Sequence, residues 1–256
     1  MYKMFLGAML LFGTLLFQAC GSASSDYIPP DKSETSVILP LYSYPTEWED
    51  NKDLSDLIDA TTGKIIAIVN PLNGPGLVQN IDYVNGIDYL VNKDVTVVGY
   101  IYTSYGDRDK EEIYDDIDAY VSFYGSDKLS GVFFDEVDLS DSDNEAFVRD
   151  ISAYAKSKNL RFIVLNPGTF VEQSIIDEDY YDMIITYENS YDKYLFISND
   201  LNSSVLTKQG LLVYAYPDLI SYTADIQKAK DMHFDYIYFT TDTEPNPWDT
   251  VFNFLK

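Results

Sequence analysis

The chain predicts a (β/α)8 barrel of the TIM type, a single domain behind a leader segment. Eight short apolar runs, rich in β-branched and aromatic residues, recur between Ser36 and the C-terminus. The intervals between them, roughly 20 to 35 residues, leave room for a helix in each gap, as parallel strands require. Nearly every run also turns from apolar to polar at its C-terminal end, the edge where barrel enzymes place their sites. The 256 residues suit this architecture, since such barrels commonly fill about 250 residues.

The N-terminus stands apart from that pattern. Lys3 precedes an apolar run over residues 4–17, followed by Gln18-Ala19-Cys20-Gly21. A basic start, an apolar stretch of secretory length and a small residue before a cleavage point mark residues 1–19 as a signal peptide. The run falls short of the ~20 apolar residues a membrane span needs. Cys20 is the only cysteine, which excludes an intrachain disulfide. Its position resembles that of the lipidated cysteine of a bacterial lipoprotein; an ordinary signal peptide with an incidental cysteine is the alternative. Residues 20–36, polar and proline-bearing, read as a lipidated cysteine with a flexible tether, and residues 37–256 as the barrel. The expectation is a monomer exported across the inner membrane and held at the cell envelope or outer surface through Cys20 alone.

Strands are predicted at 37–42, 64–70, 96–103, 131–136, 161–166, 181–188, 211–216 and 234–241. Between them, Ile113, Ile117, Tyr120, Val121 and Tyr124 recur at helical spacing. Phe147, Ile151, Tyr154 and Ala155 do the same, with Asp141, Ser142 or Asp143 as the cap. Residues 81–91 and 219–232 carry weaker helical patterns, and residues 189–208 read as a longer loop with a helix inside it.

The formal charge is −25. Such a surface repels nucleic acid and anionic lipid headgroups and favours cationic ligands. Residue types narrow the chemistry further. The one histidine, His233, sits at the end of a predicted helix, so a histidine-bearing triad has no suitable member and zinc sites of several His or Cys ligands are excluded. No phosphate-binding loop is present, and Gly74-Pro75-Gly76 does not open a helix as a dinucleotide site would. No cofactor and no metal are expected, with calcium or magnesium on carboxylates as the alternative.

Carboxylates and tyrosines remain. The run G-V-F-F-D-E over residues 131–136 ends in Asp135 and Glu136, and Glu188 closes the strand two further on. In a closed barrel these ends face one mouth, where two carboxyl groups can flank a glycosidic bond. A separation of about 5–5.5 Å gives retention and about 6.5–9.5 Å gives inversion. A structural role, such as pairing with Arg108, is the alternative. Tyr42, Tyr44, Tyr100, Tyr102, Tyr105, Tyr187 and Tyr216 also lie at strand ends, where aromatic faces suit sugars. Most of the 23 tyrosines instead fill the space between helices and barrel.

Five motifs in order complete the pattern: L-P-L-Y-S-Y-P-T-E-W (39–48), V-N-P-L-N-G-P-G (69–76), G-Y-I-Y-T-S-Y-G-D-R (99–108), G-V-F-F-D-E (131–136) and L-N-P-G-T (165–169). With Glu188, they resemble the spherulin-4-like proteins of spherulation-specific family 4, over about 37–188. Relatives placed in glycoside hydrolase family 135, with families 114 and 166, are (β/α)8 enzymes. They cleave α-1,4-linked galactosamine or N-acetylgalactosamine in secreted, biofilm-type polysaccharides. The resemblance implies Asp135, Glu136 and Glu188 as the catalytic carboxylates: Asp135 as nucleophile or oxocarbenium stabiliser, Glu188 as general acid/base, and Glu136 as a sugar-binding or pKa-tuning partner. The split between Asp135 and Glu136 stays open, because adjacent strand residues point to opposite faces unless the strand end bends.

The resemblance also implies Tyr42, Asn70, Tyr100, Tyr102, Arg108 and Asn166 as groove residues, and Tyr216 is expected to join them. Arg108 would be a fixed cation holding one carboxylate ionised. The implied partner is a polysaccharide, a cationic galactosamine polymer suiting the acidic surface. The alternatives are a non-catalytic polysaccharide-binding lipoprotein on the same barrel, or a glycosidase of different sugar specificity. The lipoprotein signal departs from the fungal relatives.

Overall fold

The computed structural model describes residues 33–202, 207–217 and 222–256. The expected signal peptide, Cys20 and most of the tether lie outside the described residues, as does the start of the helix expected at 219–232.

Eight parallel strands close into a barrel in chain order. They are β1 (Ser36–Leu41), β2 (Ile65–Val69), β3 (Thr96–Tyr102), β4 (Leu129–Asp135), β5 (Phe162–Asn166), β6 (Met183–Ser190), β7 (Lys208–Tyr214) and β8 (Tyr236–Phe239). The ring closes where Ser36 and Val37 pair with Tyr236 and Ile237. Strands such as β2 are buried at every position, because one face fills the barrel and the other meets the helices. The helices are α1 (Lys52–Ala60), α2 (Ile81–Asn92), α3 (Lys110–Tyr124), α4 (Ser142–Ser157), α5 (Gln173–Ile176), α6 (Tyr191–Tyr194) and α7 (Tyr222–Asp231). Asp141 caps α4 by accepting from the amides of Asp143 and Asn144, which satisfies two donors the first turn leaves open.

Two glycines permit the close approaches. A Cβ on Gly131 would lie 1.7 Å from the Phe162 carbonyl oxygen, and one on Gly99 2.7 Å from the Tyr120 ring. Tyr120 uses that space to donate from its hydroxyl to the Tyr100 carbonyl at 2.8 Å, which ties α3 to β3.

Three expectations need correction. Ser33 to Ser36, assigned to the tether, belong to the barrel: the Ser33 amide donates to Ala60 O at 2.7 Å and Thr35 is 1% exposed. β7 begins three residues earlier than predicted, at Lys208. Its polar start conceals a strand because the buried Gln209 amide is fully engaged, accepting from Thr186 and Asn199 and donating to Leu201 O. The eighth strand, among the described residues, has no helix after it. Pro245 and Pro247 break that pattern, and the turn-rich tail buries Val251, Phe252 and Phe254. Phe254 packs on Tyr238 and Phe239 with ring centroids 5.7 Å away.

The tail is therefore a core element. Phe254→Ala should lower the unfolding free energy by about 3–5 kcal/mol, read from urea denaturation. A loss below about 1 kcal/mol would mean the aromatic slot is dispensable.

Candidate active site

The site begins with register. Tyr102, Asp135 and Asn166 pair laterally across β3, β4 and β5, so their side chains share one face at the C-terminal rim. Tyr100, two residues earlier on β3, shares that face and donates its hydroxyl to Asp135 Oδ2 at 2.8 Å. Asn166 Nδ2 donates to Asp135 Oδ1 and to Glu188 Oε2, each at 2.7 Å. The amide cannot be turned round, because its Oδ1 accepts the Gly168 amide at 2.9 Å. Two acceptors on one nitrogen can be no further apart than twice 2.7 Å, so the facing oxygens of the carboxyl groups lie within about 5.4 Å of each other.

Glu188 reaches that position through an irregularity in β6. The register against β7 shifts between Ile185 and Tyr187, inserting an extra residue and resetting the in-and-out alternation just before the glutamate. Trp248 in the C-terminal tail donates its indole Nε1–H to Glu188 Oε1 at 3.1 Å. Both oxygens of Glu188 are thereby held.

The strand end does bend after Asp135. Glu136 has φ 55°, a left-handed conformation unusual for a residue with a side chain. Its carbonyl accepts from the Tyr105 amide and from Thr103 Oγ1, both at 2.7 Å. Ser104 and Tyr105, at φ 50° and 55°, are left-handed as well. The two loops hold each other in shape; Asp135 stays on the inner face and Glu136 turns to the partly exposed rim.

Burial raises the proton affinity of all three carboxyl groups. Burial, then the charge of Asp135, raises Glu188 from the ordinary carboxylate range to about 7. Burial also raises Asp135, but hydrogen bonds from Tyr100, the Glu136 backbone and Asn166 stabilise its ionised form. Glu136 is raised by partial burial and by Asp135. Tyr42, edge-on to Tyr100 at 5.8 Å, has its hydroxyl raised by burial and then by Asp135.

The structure thus gathers Asp135, Glu188, Asn166, Tyr100 and Tyr42, with Glu136 at the rim. Two residues expected in the groove, Arg108 and Tyr216, are engaged elsewhere. Arg108 lies over the Tyr102 ring at 4.3 Å and its guanidinium bonds Asp116 on α3 at 2.6 Å and Tyr102 O at 3.1 Å; it shapes the β3 loop instead of facing the carboxylates. Tyr216 is 2% exposed and donates to Asp225 behind the barrel wall. Asn70 follows Val69, which pairs with Leu41 and Gly99, so it continues that register beside Tyr42 and Tyr100 at the mouth, its Oδ1 accepting the Gly74 amide at 3.1 Å. Sequence reasoning missed Trp248, and with it Glu244, whose charge acts on Glu188. The Pro-Asn-Pro-Trp stretch at 245–248 was the available signal.

The sequence matches the family model of spherulation-specific family 4 over residues 36–256. Spherulin-4 of Physarum polycephalum is 34% identical over 171 residues, 64% of this chain and 49% of that protein; the chain spans about half the length of this curated relative. Sph3 of Aspergillus clavatus, solved in complex with GalNAc, superposes with a TM-score of 0.73 at 22% identity, covering 87% of this chain and 96% of that one. The last comparison shows a shared fold.

A buried glutamate near pH 7 has a consequence for stability. Below about pH 4 Glu188 is protonated whether the chain is folded or not. Between there and neutrality the unfolded chain releases that proton while the folded one keeps it, so stability falls as pH rises. Relative to Glu188→Gln, the parent should lose on the order of 2–3 kcal/mol between pH 4 and pH 8, measured by urea unfolding across that range. Parallel pH profiles would contradict the raised proton affinity.

Proposed function

The chain belongs to spherulation-specific family 4, and from that premise we propose that it is a glycoside hydrolase working through Asp135 and Glu188. The observation that carries the reading is the Asn166 bridge, which limits the facing carboxyl oxygens to about 5.4 Å. That upper limit accommodates the ~5–5.5 Å spacing of retaining glycosidases and lies below the ~6.5–9.5 Å at which inverting ones seat a water between their carboxyl groups.

The proton inventory gives each group its part. Glu188, holding a proton to about pH 7, donates it to the departing glycosidic oxygen. Asp135, whose ionised form accepts hydrogen bonds from Tyr100 and Asn166, attacks the anomeric carbon as that bond breaks and forms a glycosyl ester. Glu188, now ionised, takes a proton from water, whose oxygen attacks the anomeric carbon and releases Asp135. Tyr100 and Asn166 hold the nucleophile in line. Glu136, on the rim, contacts the sugar.

The proposed substrate is an exopolysaccharide of α-1,4-linked galactosamine or N-acetylgalactosamine, cleaved internally. The family, the GalNAc bound by Sph3 and the charge of −25, which attracts a partly deacetylated polymer, support it. The proposed setting is the cell envelope, where the monomer is tethered through lipidated Cys20. A non-catalytic binding protein is the weaker reading, because binding alone gives no reason to bury a carboxyl group beside a second one.

Incubation with acetylated and deacetylated galactosamine polymers, followed by mass spectrometry, should release oligosaccharides whose new ends retain the anomeric configuration. The rate should fall above about pH 7 as Glu188 loses its proton, and Glu188→Gln should lower it about 10²–10⁴-fold. No release from either polymer, or parental rates in Glu188→Gln, would overturn the proposal.

A further inference from the structure

A cleft of about 680 Å³ lies against the ends of β4 and β5, within the ~300–1,000 Å³ typical of ligand pockets. One wall follows Glu136 in the chain and the other follows Asn166. Phe170, Leu139 and Ile175 supply apolar surface, while Asp138, Asp141, Glu145 and Glu172 supply carboxylates; no lysine or arginine lines it. The reaction described above uses none of these residues.

Both walls are fixed to the catalytic pair through the backbone. The Gly168 amide donates to Asn166 Oδ1, and the Gly168 carbonyl accepts from the Glu188 amide at 3.1 Å. On the opposite wall, the Val137 amide donates to Asn166 O, also at 3.1 Å. Phe170 therefore stands two residues from a glycine bonded to both Asn166 and Glu188. Its ring meets Tyr187, the residue before Glu188, with centroids 6.1 Å apart, yet it remains 37% exposed. This is an aromatic surface in a cavity whose two walls are tied through the backbone to Asn166 and Glu188, with the form of a sugar platform.

The carboxylates differ in availability. Asp138 accepts from the Ser140 amide and from Asn144 Nδ2, Asp141 accepts the Asp143 and Asn144 amides as the cap of α4, and Glu145 pairs with Arg149 at 2.6 Å. Glu172 is exposed and, although it directly precedes α5, its side chain makes no capping bond. An acidic group two residues from an aromatic platform, in a cleft lined by no cation, suits a ring that carries an ammonium group.

We propose that this cleft is a second carbohydrate subsite, taking an amino-sugar unit of the same polymer with its ring face on Phe170 and its amine at Glu172. The inference rests on the hydrolase reading and deepens it: a sugar away from the scissile bond sets the register of cleavage and favours deacetylated units.

The test compares the parent with Phe170→Ala, Phe170→Tyr and Glu172→Gln. Substrates are a short reporter galactosaminide and galactosamine oligomers of increasing length, acetylated and deacetylated. Phe170→Ala should raise KM for long oligomers roughly three- to tenfold, with kcat and reporter turnover unchanged, and Phe170→Tyr should restore it. Glu172→Gln should raise KM several-fold for deacetylated oligomers only. Parental length dependence in Phe170→Ala, or an equal loss on reporter and oligomer, overturns the subsite and leaves the hydrolase intact. If the parent cleaves nothing, the hydrolase reading falls, and calorimetry of long oligomers with the parent and Phe170→Ala then decides the cleft: binding weakened by the substitution supports it, and equal or absent binding overturns it.

Discussion

Two carboxyl groups facing each other in a buried barrel mouth repel when both are charged, and nothing in a carboxylate fixes its distance from another. Asn166 supplies the fixed length. Its amide offers two N–H bonds, one to Asp135 and one to Glu188, and its oxygen is held by the Gly168 amide. The spacing is thus set by a planar group that cannot rotate without breaking three bonds. The donors around Asp135 are also uncharged. An arginine between the carboxylates would lower both proton affinities together; with Arg108 turned to Asp116, burial and mutual repulsion can act unequally and leave one proton on Glu188.

That arrangement depends on backbone elsewhere. Asp135 stays on the inner face because β4 stops there and Glu136 takes a left-handed turn, locked by Thr103 and Tyr105 of the neighbouring loop. Strained, non-glycine positions of this kind persist only where surrounding contacts determine them. Glu188 depends on the shift in β6 and on a tail built of turns, which delivers Trp248 to the mouth while Phe254 is buried in the core.

The sequence revealed the barrel because parallel strands buried on both faces read as nearly unbroken apolar runs, and it revealed the carboxylates because polar residues stand out where those runs end. What it concealed follows from the same cause. Lys208 and Gln209 open β7 without an apolar signal, the burial of Gln209 secured by side-chain bonds from Thr186 and Asn199. Tyr216 resembles other strand-end tyrosines, yet its hydroxyl finds Asp225 on α7. Arg108 finds its partner two turns along α3. Trp248 lies 60 residues from the glutamate it contacts, a pairing that exists only once the tail has crossed the barrel.

The most direct measurement is the titration of Glu188, followed by carboxyl-carbon NMR in the parent and in Asp135→Asn. The account predicts a midpoint near 7 in the parent, moving downward when the charge on Asp135 is removed while burial still holds it above the ordinary carboxylate range. A parental midpoint near 4.5, or one that Asp135→Asn leaves in place, would contradict it.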